Sequence, residues 1–172
     1  MSLDGFIAGP NGEYDWIVQD PTVDFGELFR QFDTALIGRL TYEVMLKAGQ
    51  PPASLGMEAF VVSNTLNPAE HPGITILSSG VAEAVARLKA RPGAENAAGN
   101  EKDIWLFGGG QLFRSLLDAG LVDTVEVAVI PVLLGGGIPL LPAGPSRGLC
   151  LYDSKILPSG IVKLHYSVSP IG

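Results

Sequence analysis

A run of three glycines, Gly108-Gly109-Gly110, is the segment of this sequence best suited to chemistry. The apolar residues 104–107 predict a strand that ends at the first glycine, and residues 111–119 have the apolar spacing of a helix. Such a junction leaves backbone N–H groups unpaired at the positive end of a helix dipole, and glycine lets a ligand approach the backbone closely. The pattern therefore predicts a phosphate-binding turn.

The glycine run does not follow the common nucleotide-binding motifs. A P-loop would continue with Gly-Lys-Ser/Thr, and the dinucleotide fingerprint would need a glycine where Phe113 stands. A standard Rossmann domain is therefore disfavoured. Taken alone, the three glycines could equally form a tight strand-to-helix turn with no ligand.

A second junction of the same kind strengthens the phosphate interpretation. Gly38 follows a short apolar run and opens a helical pattern whose first turn contains Arg39, a fixed charge, and Thr41, a hydroxyl. A third apolar run ends at Ser63 and Asn64. Because the carboxyl ends of parallel strands lie along one edge of a sheet, these residues predict a nucleotide site there.

The elements that would position these residues alternate between strands and helices. Apolar runs predict buried strands at residues 34–37, 59–62, 74–77 and 104–107, and helices at Arg39–Lys47, Val81–Ala90 and 111–119. This order is typical of an α/β fold with a mostly parallel sheet and helices on both faces. Residues 122–130, 149–156 and 161–168 predict strands, with a turn at 158–160, so we expect an antiparallel hairpin to close the sheet. Residues 91–102 predict a flexible loop, and residues 131–145 an irregular connection.

Composition limits the class of protein. The 172 residues are 47% hydrophobic, which suits one domain, residues 1–172, with a full core. Eleven Lys+Arg against 18 Asp+Glu give a charge of −7, which disfavours nucleic-acid binding, and no apolar run is long enough to cross a membrane. A lone Cys150 and the lack of a secretion signal favour the cytoplasm. His71 and His165 lack ligand spacing, so we predict no metal site.

The motifs as a set resemble a known family. They are Ser-Leu-Asp-Gly-x-Ile-Ala at 2–8, Gly-Arg-x-Thr-Tyr-Glu at 38–43, Val-Ser-x-Thr-Leu at 62–66, Ile-x-Leu-x-Gly-Gly-Gly-x-Leu at 104–112, Gly-Leu-Val-Asp at 120–123 and Pro-Val-Leu-Leu-Gly-x-Gly-x-Pro-Leu at 131–140. In this order they resemble the reductase domain of riboflavin-pathway deaminase-reductases, the RibD C-terminal domain, and its stand-alone bacterial relatives. The resemblance implies a dihydrofolate reductase-like fold. It also implies NADPH-dependent reduction of a pterin- or pyrimidine-like small molecule by a homodimer.

The resemblance assigns cofactor-binding roles. Gly38, Arg39 and Thr41 would bind cofactor phosphates. The pyrophosphate and nicotinamide side would be bound by Gly108, Gly109, Gly110, Gln111 and Leu112. The bond between Gly108 and Gly109 would be cis, as in dihydrofolate reductases.

Two further segments are assigned to the cofactor by the resemblance. Ser63 and Asn64 match the site of the adenosine 2′-phosphate, and Ile7 and Ala8 match the backbone that contacts the nicotinamide carboxamide. Relatives commonly have Arg where this chain has Asn64, so NADH is an alternative to NADPH unless Arg87, Lys89 or Arg91 reaches this site.

Substrate-side assignments also follow from the resemblance. Asp4, Trp16 and Tyr42 would lie on the substrate side, Trp16 and Tyr42 as substrate-binding residues and Asp4 as a candidate catalytic residue. The proton donor would be Asp24 or Glu27, on the helix before the Gly38 strand, although acids in the first turn of a helix are also favoured by its dipole.

The chain departs from the family at its start, where relatives have a central strand before Ser-Leu-Asp-Gly. We expect the natural chain to begin upstream of Met1, with a very short strand or a trimmed chain as the alternatives, because omission of a central strand would expose two sheet edges. Two other classes of function also stay open. One is a nucleotide-binding module without turnover, and the other is a structural dimer that has lost cofactor affinity.

Overall fold

The computed structural model describes residues 1–92 and 101–169. The chain divides into two compact units, one formed by Met1–Val23 with Val122–Gly172 and the other by Asp24–Leu121. Within the described residues, no helix is both long and apolar enough to cross a membrane.

The Asp24–Leu121 unit is built on a parallel sheet. Its strands are β2 (Phe32–Gly38), β3 (Glu58–Val62), β4 (Thr75–Leu77) and β5 (Asp103–Gly108), in the spatial order β4-β3-β2-β5. Its helices are α1 (Phe25–Phe29), α2 (Arg39–Lys47), α3 (Val81–Ala90) and α4 (Gly110–Asp118). The predicted alternation of strands and helices is confirmed, and so is the α/β fold class.

The core of this unit lies along the middle strands. Ala35, Leu36 and Ile37 of β2 are at most 1% exposed, and Val61 of β3 is fully buried. Strands covered on both faces read as continuous apolar runs, which is why these strands could be predicted. Trp105 of β5 packs within this core against aromatic neighbours.

The other unit is antiparallel. The strands β6 (Thr124–Val129), β8 (Leu149–Ile156) and β9 (Val162–Val168) form a sheet in the order β6-β9-β8, and β1 (Phe6–Ala8) pairs with β7 (Ile138–Pro139). The predicted hairpin of β8 and β9 is present, but it pairs with β6 and not with the parallel sheet. Residues 131–145 are irregular as predicted except for β7, while residues 93–100 of the predicted loop at 91–102 lie outside the described residues.

Asp20 links the N-terminal loop to the turn between β8 and β9. Its carboxylate accepts hydrogen bonds from the backbone N–H and the hydroxyl of Thr22, at 2.9 and 2.5 Å, and from the backbone N–H of Ser159, at 2.9 Å. The residue is only 6% exposed. Hydrogen bonds from Ser159 and Thr22 hold the pKa of Asp20 well below its usual range.

The low pKa of Asp20 predicts acid sensitivity. In the unfolded chain, the Asp20 carboxyl takes up a proton at about pH 3.9, and in the folded chain it does so only at lower pH. The hydrogen bonds to the Asp20 carboxylate therefore contribute their full stabilisation above about pH 3.9. As pH falls towards the folded pKa, the free energy of unfolding should decrease. Asp20→Asn should lower the melting temperature by several degrees at pH 7 and weaken its dependence on pH in the acid range. Thermal melts of both proteins between neutral and acid pH check this, and parallel curves for the two proteins would contradict it.

Candidate functional site

The order of the parallel strands creates a crevice at one edge of the sheet. The chain proceeds from β2 to β3 to β4 in one direction, and β5 then pairs on the opposite side of β2. The carboxyl ends of β2 and β5 therefore lie at the point where the strand order reverses. Open α/β sheets bind ligands at this position.

Two helices begin at that crevice with their N-terminal backbone groups uncapped. Gly38 precedes α2 and Gly109 precedes α4, and neither helix has a side-chain cap or an acidic residue in its first turn. By contrast, the side chain of Asp24 caps α1 by accepting the N–H of Glu27 at 2.9 Å. The open N–H groups and dipoles of α2 and α4 thus favour an anion at the crevice.

The glycines allow the two strand ends to approach each other closely. A Cβ on Gly38 would lie 3.2 Å from the carbonyl oxygen of Gly108, and a Cβ on Gly108 would lie 3.4 Å from the Thr41 hydroxyl oxygen. Gly109 is next to the same groups, because a Cβ there would lie 3.5 Å from the Cα of Gly38. The fold therefore brings together four of the predicted phosphate-binding residues, at a surface we call the α2/α4 cradle: Gly38, Thr41, Gly108 and Gly109.

The prediction of a cis bond in this turn is wrong. The bond between Gly108 and Gly109 is trans, and no cis bond occurs among the described residues. The chain turns through backbone torsions instead, with φ of +151° at Gly108 and +98° at Gly109. Such torsions strain any residue with a side chain, so the turn requires glycine.

The remaining predicted residues of the cradle lie in the first turns of its two helices. Arg39 begins α2 and pairs with Glu43 one turn later, at 2.6 Å, with 40% of its side chain exposed. Gly110 and Gln111 begin α4, where Gln111 is exposed. The side chain of Leu112 is buried in the protein interior, so only its backbone, in the first turn of α4, could contact a ligand.

The segment after β3 presents a neutral side chain. The Ser63 hydroxyl oxygen accepts the backbone N–H groups of Thr65 and Leu66, at 3.2 and 3.1 Å, and the residue is 5% exposed. Ser63 therefore fixes the conformation of the turn, and the side chain of Asn64 is exposed.

Arg91 lies at the other end of the sheet. Its guanidinium bonds to the hydroxyl of Thr34 and to the carboxylate of Glu58, both at 2.8 Å, and these residues lie near the amino ends of their strands. Lys89 donates to the carbonyl of Leu121 at 3.3 Å. These two cations are thus engaged away from Asn64.

In the antiparallel unit, the carboxylate of Asp4 organises a loop. It accepts the Ser2 hydroxyl at 2.6 Å and the backbone N–H groups of Leu134 and Gly135, at 3.1 and 2.7 Å. The Ser2 bond, followed by these backbone bonds, keeps the pKa of Asp4 below its usual value. An ionised acceptor with these partners is suited to hold the loop and poorly suited to donate a proton.

Ile7 and Ala8 lie on β1, and Gly137 presses against that strand. A Cβ on Gly137 would overlap the carbonyl oxygen of Ala8, and the φ of Gly137 is +149°. Sequence reasoning placed Gly137 in a family motif and gave it no role. Its spacing from Gly135 was the signal, because two glycines this close predict a turn that approaches other backbone.

The other predicted side chains have structural partners. The Trp16 indole N–H donates to the carbonyl of Glu13 at 3.0 Å. Glu27 pairs with Arg30 at 2.5 Å. Tyr42 is 4% exposed, its hydroxyl lies 2.9 Å from Nδ1 of His71, and burial raises its pKa. The roles predicted for Trp16, Tyr42, Asp24 and Glu27 towards a substrate stay predictions.

Sequence comparison decides the family. The sequence model of the RibD C-terminal domain matches residues 1–162. The chain belongs to the RibD C-terminal domain family. The resemblance inferred from the motifs is thereby confirmed. Among curated relatives, "Uncharacterized protein YyaP" of Bacillus subtilis (strain 168) is 33% identical, and the match covers 96% of this chain and 90% of that one.

Solved structures share the fold of this RibD C-terminal domain chain. A putative riboflavin biosynthesis protein from Shewanella sp. PV-4 matches with a TM-score of 0.77 and 25% identity, over 99% of this chain and 96% of the other. A diaminohydroxyphosphoribosylaminopyrimidine deaminase/5-amino-6-(5-phosphoribosylamino)uracil reductase from Thermotoga maritima matches with a TM-score of 0.66 and 15% identity. That match covers 98% of this chain and 54% of the other. The riboflavin-pathway reductase-like fold is therefore established.

Proposed function

We propose that this chain is a nicotinamide-dinucleotide-dependent reductase whose cofactor phosphates bind at the α2/α4 cradle. The observation that carries the proposal is the pair of uncapped helices that begin at the reversal of strand order. Their N–H groups suit a pyrophosphate. Because Gly38 and Gly108 have no Cβ, their backbones can approach each other closely and leave no side chain in the way of a ligand. The Arg39 guanidinium would add a positive charge beside the phosphates.

The substrate we propose is a pterin- or pyrimidine-like small molecule. The support is family membership, together with the Thermotoga maritima structure, whose name includes 5-amino-6-(5-phosphoribosylamino)uracil reductase. When bound, the dinucleotide supplies the hydride, and the protein supplies orientation and electrostatics. The ionised Asp4 would position the loop at Leu134 and Gly135, and the proton would come from water or from another acid.

Titration with NADPH and NADH tests the proposal, with quenching of Trp16 and Trp105 fluorescence as the readout. Arg39→Gln should weaken binding about tenfold, because it removes one charge-assisted phosphate contact. Arg30→Gln is the matched control, since Arg30 also pairs with a glutamate three residues away, Glu27, but is the C-cap residue of α1, outside the cradle. Equal losses in both variants, or no binding of either dinucleotide, would contradict the proposal. Binding without turnover of any pterin or pyrimidine would favour a nucleotide-binding module.

The choice between the dinucleotides should depend on Asn64. The neutral Asn64 offers no fixed charge to a 2′-phosphate, so we propose that the chain accepts NADH as well as NADPH. Asn64→Arg should shift the ratio of the two affinities towards NADPH about tenfold, because a guanidinium would then face the extra phosphate. The measurement is the pair of dissociation constants at one salt concentration. Asn67→Arg, in the same loop, is the control for the added charge.

A further inference from the structure

Tyr42 and His71 form a hydrogen-bonded pair beside the α2/α4 cradle. Tyr42 lies on α2 and is 4% exposed, and its hydroxyl oxygen lies 2.9 Å from Nδ1 of His71. The two rings also meet edge to face, with their centroids 5.4 Å apart. Burial raises the pKa of Tyr42, so its hydroxyl stays protonated and can donate to the imidazole. A buried hydroxyl needs such a partner, and the pair therefore links two parts of the chain.

His71 belongs to the connection between β3 and β4, residues 63–74, which we call the β3–β4 connection. Leu66 and Ile74 of this connection pack against the core, while hydrogen bonds of its other polar side chains stay within it. Within the part of the chain that the structure describes, the bond between Tyr42 and His71 is the one side-chain hydrogen bond that joins this connection to another element. The bond therefore holds the polar part of the connection against α2.

The β3–β4 connection lies beside the start of α2. Gly38 at the end of β2 is paired in register with Val62 at the end of β3, so α2 and the connection begin at neighbouring strand ends, about 5 Å apart. Thr41, which precedes Tyr42 on α2, has its hydroxyl beside the glycines of the cradle. A dinucleotide has one nucleoside on each side of its pyrophosphate. The nucleoside on the β3 side of the cradle would therefore meet the exposed Asn64.

We infer that Tyr42 and His71 are positioning residues for the adenosine half of the dinucleotide. Their hydrogen bond orders the β3–β4 connection before the cofactor binds, and an ordered loop loses less conformational entropy on binding. This role rests on the proposed function, in which adenosine lies beside Asn64. The role also suits the burial of Tyr42, because a ring that is 4% exposed has little surface to offer a substrate.

The pair should control the affinity for one half of the dinucleotide only, as measured by displacement of NADPH. Tyr42→Phe removes the hydroxyl and keeps the ring, and it should raise the dissociation constant of ADP about fivefold through the loss of one hydrogen bond. The dissociation constant of reduced nicotinamide mononucleotide should not change. His71→Ala should act like Tyr42→Phe, and the double variant should lose no more than either single variant.

His71→Asn should restore most of the affinity for ADP, because its amide oxygen can accept the Tyr42 hydroxyl near the position of Nδ1. Thr34→Val is the control for a general loss of stability. Thr34 is fully buried at the other end of the same sheet, where its hydroxyl accepts the Arg91 guanidinium at 2.8 Å. Valine there also removes one buried hydroxyl from the sheet, and it should leave the affinities for both fragments unchanged.

Hydrogen exchange tests the pair without any ligand. Backbone N–H groups of residues 64–73 should exchange at least about threefold faster in Tyr42→Phe than in the wild type, while those of β8 and β9 keep their rates. If Tyr42→Phe does not fold, His71→Ala, at a half-buried position, replaces it in both measurements.

Equal weakening of both fragments, an effect of Thr34→Val as large as that of Tyr42→Phe, additive losses in the double variant, or unchanged exchange would each overturn the positioning role. Fragment binding that is indifferent to Tyr42 and His71 would contradict this role alone. A wild-type chain that binds neither dinucleotide would contradict the proposed function as well.

Discussion

Gly109→Ala should lower the affinity for either dinucleotide by at least about 100-fold. Gly109 has a φ of +98°, where an alanine is strained by roughly 1–3 kcal/mol. Its Cβ would lie 3.5 Å from the Cα of Gly38 and 3.8 Å from the Thr41 hydroxyl oxygen. The methyl group would therefore enter the α2/α4 cradle and hold the phosphates away from the N–H groups of both helices. Fluorescence titration with NADPH and NADH measures the loss.

The control for Gly109→Ala is Gly49→Ala, at the far end of α2. Gly49 also has a positive φ, +69°, but a Cβ there would have no atom within 4 Å. Backbone strain is thus present at both positions, while only Gly109 adjoins the cradle. If Gly49→Ala weakened dinucleotide binding as much as Gly109→Ala, the effect would be one of stability and the assignment of the cradle would be wrong. Melting temperatures of both variants separate the two explanations.

The parallel unit could be predicted because its local signals agree with its tertiary surroundings. A strand buried on both faces needs an uninterrupted apolar run, and β2 provides one in residues 34–37. The glycines at the ends of β2 and β5 were visible as breaks between strand and helix. Their mutual contact was not visible, because it depends on β5 pairing with β2 on the side opposite β3. Residue types thus predicted the chemistry of the cradle, and topology supplied its geometry.

The antiparallel unit was harder to predict because its contacts are distant in sequence. The strands β1 and β7 have three and two residues, which are too few to show a periodic pattern. Asp4 has the residue type of a proton donor, but its partners Leu134 and Gly135 are about 130 positions away. A carboxylate that accepts backbone N–H groups acts as a positioning residue, and only the fold distinguishes that role from a catalytic one.

Gly137→Ala should have the largest effect on the antiparallel unit. A Cβ there would overlap the carbonyl oxygen of Ala8, and the backbone of a rigid strand pair cannot move aside as a flexible side chain would. We expect β1 to separate from β7 and the free energy of unfolding to fall by about 3 kcal/mol. Urea denaturation measures this change. The family resemblance assigns Ile7 and Ala8 to the nicotinamide and not to the phosphates. The turnover rate should therefore fall by a larger factor than the affinity for the dinucleotide.

Gly136→Ala provides the control for that substitution. Gly136 precedes Gly137 in the chain, but a Cβ there would meet no atom within 4 Å and its φ is not positive. Alanine at this position should leave the denaturation midpoint nearly unchanged or raise it slightly, since it reduces the entropy of the unfolded chain. Similar destabilisation by both substitutions would show that the loop as a whole is intolerant of side chains. A loss confined to Gly137→Ala would instead show that close contact with Ala8 fixes the position of β1.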